Sequence, residues 1–214
     1  MNAAQKKAVL IADRIMSRLK LRAGRRESEI ADWIKAQLKA AGAKPAFRII
    51  VGSGPRSARP HCFASNKKLK RGELVVVDFG ALYNGYRSDI TRTYIIGKPA
   101  PKQKKIYGLV KKAQARAVRL VRAGQKCSEV DRAARRLIDR HGFGGNFRHS
   151  TGHGVGQRIH EAPKISPRNY HRLKAGAVIT IEPGIYIKGW GGVRIEDMFL
   201  VTRQGCRRLT KAKK

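Results

Sequence analysis

ELVVVDFGALYNGYRSDITRTYIIG, residues 73–97, reads as a β-hairpin whose register organises the rest of the chain. Its apolar run ends at Asn84-Gly85. An Asn-Gly pair between alternating segments is the strongest short hairpin signal, because a type I′ turn needs positive φ at both central residues. A two-residue turn there pairs residues whose numbers sum to 169, so Asp78 faces Thr91. Asp89 lies two residues from Thr91 and projects from the same face, which makes Asp78 and Asp89 diagonal neighbours.

A second hairpin repeats the arrangement. AVITIEPGIYI (177–187) and GGVRIEDMFLVT (191–202) flank the glycine-rich KGWGG. A turn centred on Gly189 pairs numbers that sum to 378, which sets Glu182 opposite Glu196. Two amphipathic helical patterns precede each hairpin. The first pair covers residues about 2–21, with Val9, Ile11, Ile15, Met16 and Leu19, and about 28–41, with Ile30, Trp33, Ile34, Leu38 and Ala41 before Gly42. A strand-like AFRIIVGSG (46–54) and a loop to His61 follow. The second pair covers about 102–123, with Ile106, Val110, Ala113, Ala117 and Val121, and about 128–141, where Ser128 and Asp131 are spaced as a capping box and Gly142 is a stop. Helix, helix, loop, hairpin thus occurs twice. The order predicts an α+β fold built as a pseudo-repeat, about residues 1–98 and 99–214, in one domain with no separating linker.

Acidic residues are scarce, 14 against 48 Lys and Arg, so their positions carry information. Asp78 follows Val75-Val76-Val77, Glu182 follows Val178-Ile179-Thr180-Ile181, and Glu196 follows Val193-Arg194-Ile195. A carboxylate in such a strand is costly unless a cation or a metal faces it. One of these acids alone would be explained by a salt bridge to the abundant Lys and Arg. Four on two hairpins, placed as like-charged neighbours, are better explained by divalent cations. With His153 they form a mostly oxygen set suited to Mn²⁺, Co²⁺, Fe²⁺ or Zn²⁺ rather than to a thiolate site, and two ions about 3.5 Å apart could share the carboxylates and a hydroxide.

His149, His153 and His160 fall within HSTGHGVGQRIHEAP (149–163). Interleaved Gly152, Gly154 and Gly156 would let the backbone approach a ligand closely, and imidazole serves as ligand, donor or proton shuttle near neutral pH. His61, beside Pro60, is a weaker signal, and His141 and His171 read as surface or capping residues.

The formal net charge is +34 with a pI near 11.2, which predicts attraction to polyanions. The basic residues run through every segment without an RNA-recognition signature, so salt-dependent, non-specific nucleic-acid binding is expected rather than sequence readout. No apolar run approaches the roughly 20 residues of a membrane span. Asp13 and Arg14 interrupt the stretch that a signal peptide would keep apolar, so the N-terminus reads as a mature cytoplasmic start. Cys62, Cys127 and Cys206 are isolated and read as reduced thiols.

Taken together, VVVDFG with SDITRT, HSTGHGVG with HEAP, TIEPGIY and GGVRIED resemble the pita-bread metallopeptidases, the family of methionine aminopeptidase, aminopeptidase P and prolidase. The likeness covers about residues 27–209, and SDITRT, HSTGHG and GGVRIED look more like the Xaa-Pro branch. It implies a pita-bread fold, two helices plus a hairpin in each half around a curved antiparallel sheet, and a peptidase that hydrolyses an N-terminal Xaa-Pro bond through a metal-bridging hydroxide. It implies Asp78, Asp89, His153, Glu182 and Glu196 as ligands of two divalent ions, Mn²⁺ first, with Asp89 on one ion and Asp78 on the other in company with His153. Glu182 would double as general base, and Glu196 would bridge the metals. His61 and His160 would handle protons and steady the tetrahedral intermediate, and His149 and Arg194 would line the pocket for a proline-containing peptide. Only about 26 residues precede the matching region, so the chain reads as a catalytic domain without the family's N-terminal cap, with a homodimer as a candidate assembly. The alternatives are a methionine aminopeptidase and an inactive module that binds peptide, RNA or the ribosome through its basic surface.

Overall fold

The computed structural model describes all 214 residues. The first half opens with α1 (Ala3–Arg18) and α2 (Glu27–Ala40), followed by β1 (Lys44–Pro45), β2 (Ile50–Ser53), β3 (Leu74–Phe79), β4 (Ala81–Tyr83), β5 (Tyr86–Arg87) and β6 (Ile90–Ile95). The second half repeats the plan with α3 (Pro101–Arg119), α4 (Cys127–Arg140), β7 (Gly152–Gly154), β8 (Glu161–Ile165), β9 (Val178–Ile181), β10 (Gly184–Ile187), β11 (Gly191–Arg194), β12 (Asp197–Val201) and β13 (Cys206–Arg208). No helix is long and apolar enough to cross a membrane.

Both hairpins form in the expected register. Asp78 pairs with Thr91 and Leu82 with Arg87, and Asn84 and Gly85 take φ of 44° and 79°, as a type I′ turn requires. In the second half Ile181 pairs with Asp197 and Gly184 with Arg194. Neither hairpin, however, is one continuous ladder. The first breaks at Gly80, Ser88 and Asp89, so that β3 and β6 join β2 while β4 and β5 join β1. The second breaks at Glu182-Pro183 and Ile195-Glu196; β10 and β11 stand apart, while β9 and β12 join the five-stranded order β13-β12-β9-β7-β8. Pro183 has no N–H to give a ladder. Glu182 N–H donates instead to Thr151 O at 2.7 Å and Glu196 N–H to Thr91 O at 3.2 Å. The breaks therefore lie at three of the candidate ligands, and the second one ties the two halves together through β6.

Each helix pair covers the strands of its own half. Ile30, Ile34 and Leu38 recur at helical spacing on α2 and are fully buried with Val75, Val77 and Phe79 in one cluster of 21 residues. Ile106, Val110 and Ala113 of α3 and Val130, Ala134 and Ile138 of α4 pack with Ile179, Ile181 and Val193 in another of 22. Val9 of α1 packs with Val155, Val178 and Met198 of the second half in a third, smaller cluster.

Local expectations needed correction in three places. AFRIIVGSG is a strand only over Ile50–Ser53. The first helix stops at Arg18 because Leu19 turns to an extended ψ of 121°. The spacing of Ser128 and Asp131 is not a capping box. The N-cap position of α4 is Lys126, the Ser128 hydroxyl has no hydrogen-bond partner, and the Asp131 carboxylate accepts from Arg135 and from Thr151, just before the strand that carries His153.

Candidate metal centre

Thr91 is the anchor of the site. Its hydroxyl, near the end of the β3–β6 pairing, donates to Glu196 Oε2 at 2.7 Å and accepts from Arg194 Nε at 3.0 Å. Arg194 is 3% exposed, and its Nη2 donates to Asp78 Oδ2 at 2.7 Å. Asp89, at the break before β6, hangs its backbone N–H on the Met198 sulfur at 3.2 Å. His153, in the centre of β7, faces Gly154 O at 3.0 Å with Nδ1, which assigns a proton to Nδ1 and turns Nε2 inward, where it can hold a second proton or, once that is shed, a cation. That Nε2 lies 3.3 Å from Glu182 Oε1 and 3.7 Å from Asp89 Oδ2.

Asp89, His153 and Glu196 each bring one ligand atom within 4.8 Å of the others. Asp78 Oδ1, Asp89 Oδ1 and Glu196 Oε1 are buried with no hydrogen-bond partner in the protein. Buried carboxylate oxygens without donors are rare because each costs desolvation with no return, and an oxygen-rich set with one imidazole is what a hard divalent cation accepts. Burial, reinforced by the charges of Asp78 and Glu182 and, for Asp89, by that of Glu196, holds Asp89 and Glu196 well above the ordinary carboxylate range. Burial also raises Asp78, against the pull of Arg194. Glu182 goes the other way. Burial would raise it, but the hydrogen bond and charge of His153 bring it down to about 2. The residues fit a bound cation, and His153 lies in one group of possible ligand atoms with Asp89 and Glu196.

All nine candidate residues, these five with His61, His149, His160 and Arg194, line one cleft of about 1140 Å³, whose apolar wall includes Phe47, Phe63 and Ile159. His61 and His160 are exposed at the rim, and the His160 ring stands 4.4 Å from that of His153, edge to face. His149 and Arg194 are less free than expected. Tyr186 OH accepts from Arg194 Nη1 at 2.7 Å and lies 2.9 Å from His149 Nε2, while His149 Nδ1 faces Ser150 O at 2.8 Å.

The glycines around His153 also act differently from expectation. A side chain at Gly152 would strike Thr180 O, one at Gly154 would strike Ala162 O, and one at Gly156 would strike the Glu161 carboxylate. They admit the protein's own neighbouring strands rather than a ligand. Thr91 and Tyr186 were missed from sequence. Thr91 could have been found, since it is the predicted partner of Asp78, but nothing local marks Tyr186.

A family model described as metallopeptidase family M24 matches residues 3–203. The chain belongs to metallopeptidase family M24. It is 51% identical over 211 residues to an Xaa-Pro dipeptidase of Pyrococcus furiosus, covering 97% of this chain and 61% of that protein. Among solved structures, the prolidase from Pyrococcus furiosus superposes with a TM-score of 0.96 at 50% identity, over 99% of this chain and 64% of that one. An X-Pro aminopeptidase from Thermotoga maritima gives 0.94 at 42%, over 98% and 60%. The pita-bread fold expected from the motifs is therefore the fold present, and these relatives do not favour the methionine aminopeptidase alternative. The chain spans about three fifths of the length of the relatives it matches. M24 membership and the buried Asp, His and Glu group together imply divalent metal ions.

Proposed function

We propose that this M24 chain hydrolyses the peptide bond that precedes proline in short peptides, using two divalent cations, Mn²⁺ before Co²⁺, Zn²⁺ or Fe²⁺. The observation that carries the reading is the set of donorless, buried carboxylate oxygens of Asp78, Asp89 and Glu196 around His153 and Glu182, open to one cleft. Asp78, Asp89, His153, Glu182 and Glu196 would hold the cations, which when bound polarise a carbonyl and acidify water. Glu182, kept ionised beside His153, is the carboxylate able to take a proton from the attacking water. His160 and His61, at the rim, would donate to the developing oxyanion and to the leaving nitrogen. His160 is suited to this as a neutral donor, since burial and the neighbouring His153 lower its pKa. Arg194 acts here by holding Asp78, and His149 by closing the wall behind the proline ring. Both halves contribute ligands, so they work as one catalytic domain. Three free cysteines fit a reducing cytoplasm.

The test is an assay of Ala-Pro, Ala-Pro-Ala and Met-Ala-Ser with Mn²⁺, on the wild-type chain and on Asp89→Asn and Glu196→Gln. Cleavage of the proline peptides, lost by at least about 100-fold in both variants, is expected. Undiminished hydrolysis by both variants would falsify the metal assignment, and preference for Met-Ala-Ser would overturn the substrate class.

A further inference from the structure

The chain's positive charge is not spread evenly in space. Between Asp89 and Glu129 the sequence contains no acid, and after Asp197 there is none. α3 lies inside the first acid-free stretch and is the one helix of the four without an acidic residue. Its buried stripe of Ile106, Leu109, Val110, Ala113 and Ala117 faces the core. Its opposite face carries Lys104, Lys105, Lys111, Lys112, Arg116 and Arg119, all exposed, and none of the six takes part in an ion pair. The second acid-free stretch folds against the end of this helix. Ala123 N–H donates to Thr202 O at 2.9 Å and Cys206 Sγ lies 3.8 Å from Val118 O, which brings exposed Arg203 and Arg207 alongside.

We propose that this face, α3 extended by the turn between β12 and β13, docks the phosphate backbone of a nucleic acid. Like charges three and four residues apart, such as Lys112, Arg116 and Arg119, oppose helix formation and gain only when an external polyanion lies across them. Lys104 to Arg119 extends about 22 Å at about 1.5 Å per residue, and phosphates of one duplex strand repeat every 3.4 Å or so, which gives each cation about one phosphate. The residues between the cations on this face are Gly108 and Ala115, neither of which stacks on or hydrogen-bonds to a base, so binding is sequence-independent. An anionic membrane is the weaker partner, because the apolar stripe that would insert is already buried in the core. No residue of α3 lines the metal cleft, so the surface is independent of the peptidase reading.

The experiment measures binding of a short labelled single-stranded RNA, a DNA duplex and phosphatidylserine vesicles across a salt series. Three proteins are compared: wild type; Lys105→Gln, Lys111→Gln, Lys112→Gln with Arg116→Gln; and a control of equal net charge, Lys6→Gln, Lys7→Gln, Arg18→Gln with Lys39→Gln. For about eight phosphates, six along α3 and two at Arg203 and Arg207, the wild-type slope of log K against log salt should be about −6 on RNA and about −7 on duplex. The α3 variant should lose about three units of the RNA slope and more than about tenfold in affinity, with the control close to wild type. Acetylation footprinting of the wild type checks the same point without substitution, with RNA shielding Lys105, Lys111 and Lys112. Equal weakening of both variants, no shielding of these lysines, or tighter binding to vesicles than to nucleic acid would each overturn the proposal.

Discussion

Asp197 shows how one residue beside the site supports it without touching the cleft. It is fully buried and accepts from Arg92 Nη2 at 2.7 Å, from Lys214 Nζ at 2.7 Å and from Arg208 Nη2 at 3.0 Å, while Arg92 also donates to Thr91 O. Burial alone would raise its pKa, but these three cations hold it below the ordinary 3.8. Its contribution is therefore fully present above that value and is lost as pH falls below it, through the lower pKa of the folded state. Asp197→Asn should cost about 3–5 kcal/mol by urea unfolding and should remove that part of the acid-side slope. The ligands Asp89 and Glu196 have the opposite sign. With pKa values raised above 3.8 and 4.5, they make the chelated protein more stable as pH falls from neutral toward those values. An unfolding free energy of chelated protein that stays flat over that range would contradict their arrangement.

At the scale of elements, the site depends on the close approach of β7 to β9. His153 is seated by its N–H bond to Thr180 Oγ1 at 3.1 Å, and β7 reaches β9 that closely only because Gly152 has no side chain facing Thr180 O. Gly152→Ala should destabilise the chain by roughly 1–3 kcal/mol, the cost of overpacking, and weaken divalent-metal binding, read by unfolding and by metal titration of the folded fraction. Metal affinity equal to wild type would mean that β7 tolerates the displacement. The hairpins themselves were legible in the sequence, because turn chemistry and a side-chain period of two act over neighbouring residues. The ladder breaks at Asp89 and Glu196 were not, since there the backbone bonds across to the other half, to Met198 and Thr91, whereas the break at Glu182 lies beside Pro183 and bonds within its own half, to Thr151.

For the whole molecule, metal and fold should be linked by mass action. A divalent cation at about 100 times its dissociation constant adds about 2.7 kcal/mol to folding, so chelation should lower the midpoint of thermal unfolding and Mn²⁺ should restore it. No shift with any of the four candidate metals would remove the basis for the centre. The +34 charge leaves two acid-free stretches along the chain, and these form one face only when α3 turns its apolar stripe inward and the segment after Asp197 folds beside it. By itself the sequence determined both hairpin registers and the two helix pairs, which are properties of local periodicity and turn chemistry, while the resemblance of its motifs singled out the acids and histidines that line the cleft. Tertiary structure alone decided that His153 groups with Asp89, that Arg194 is held by Asp78 and Tyr186, and that Asp197 gathers three cations behind the site. Those contacts join residues that are distant in the chain, and which of many mutually compatible partners meet is set by how the two halves pack.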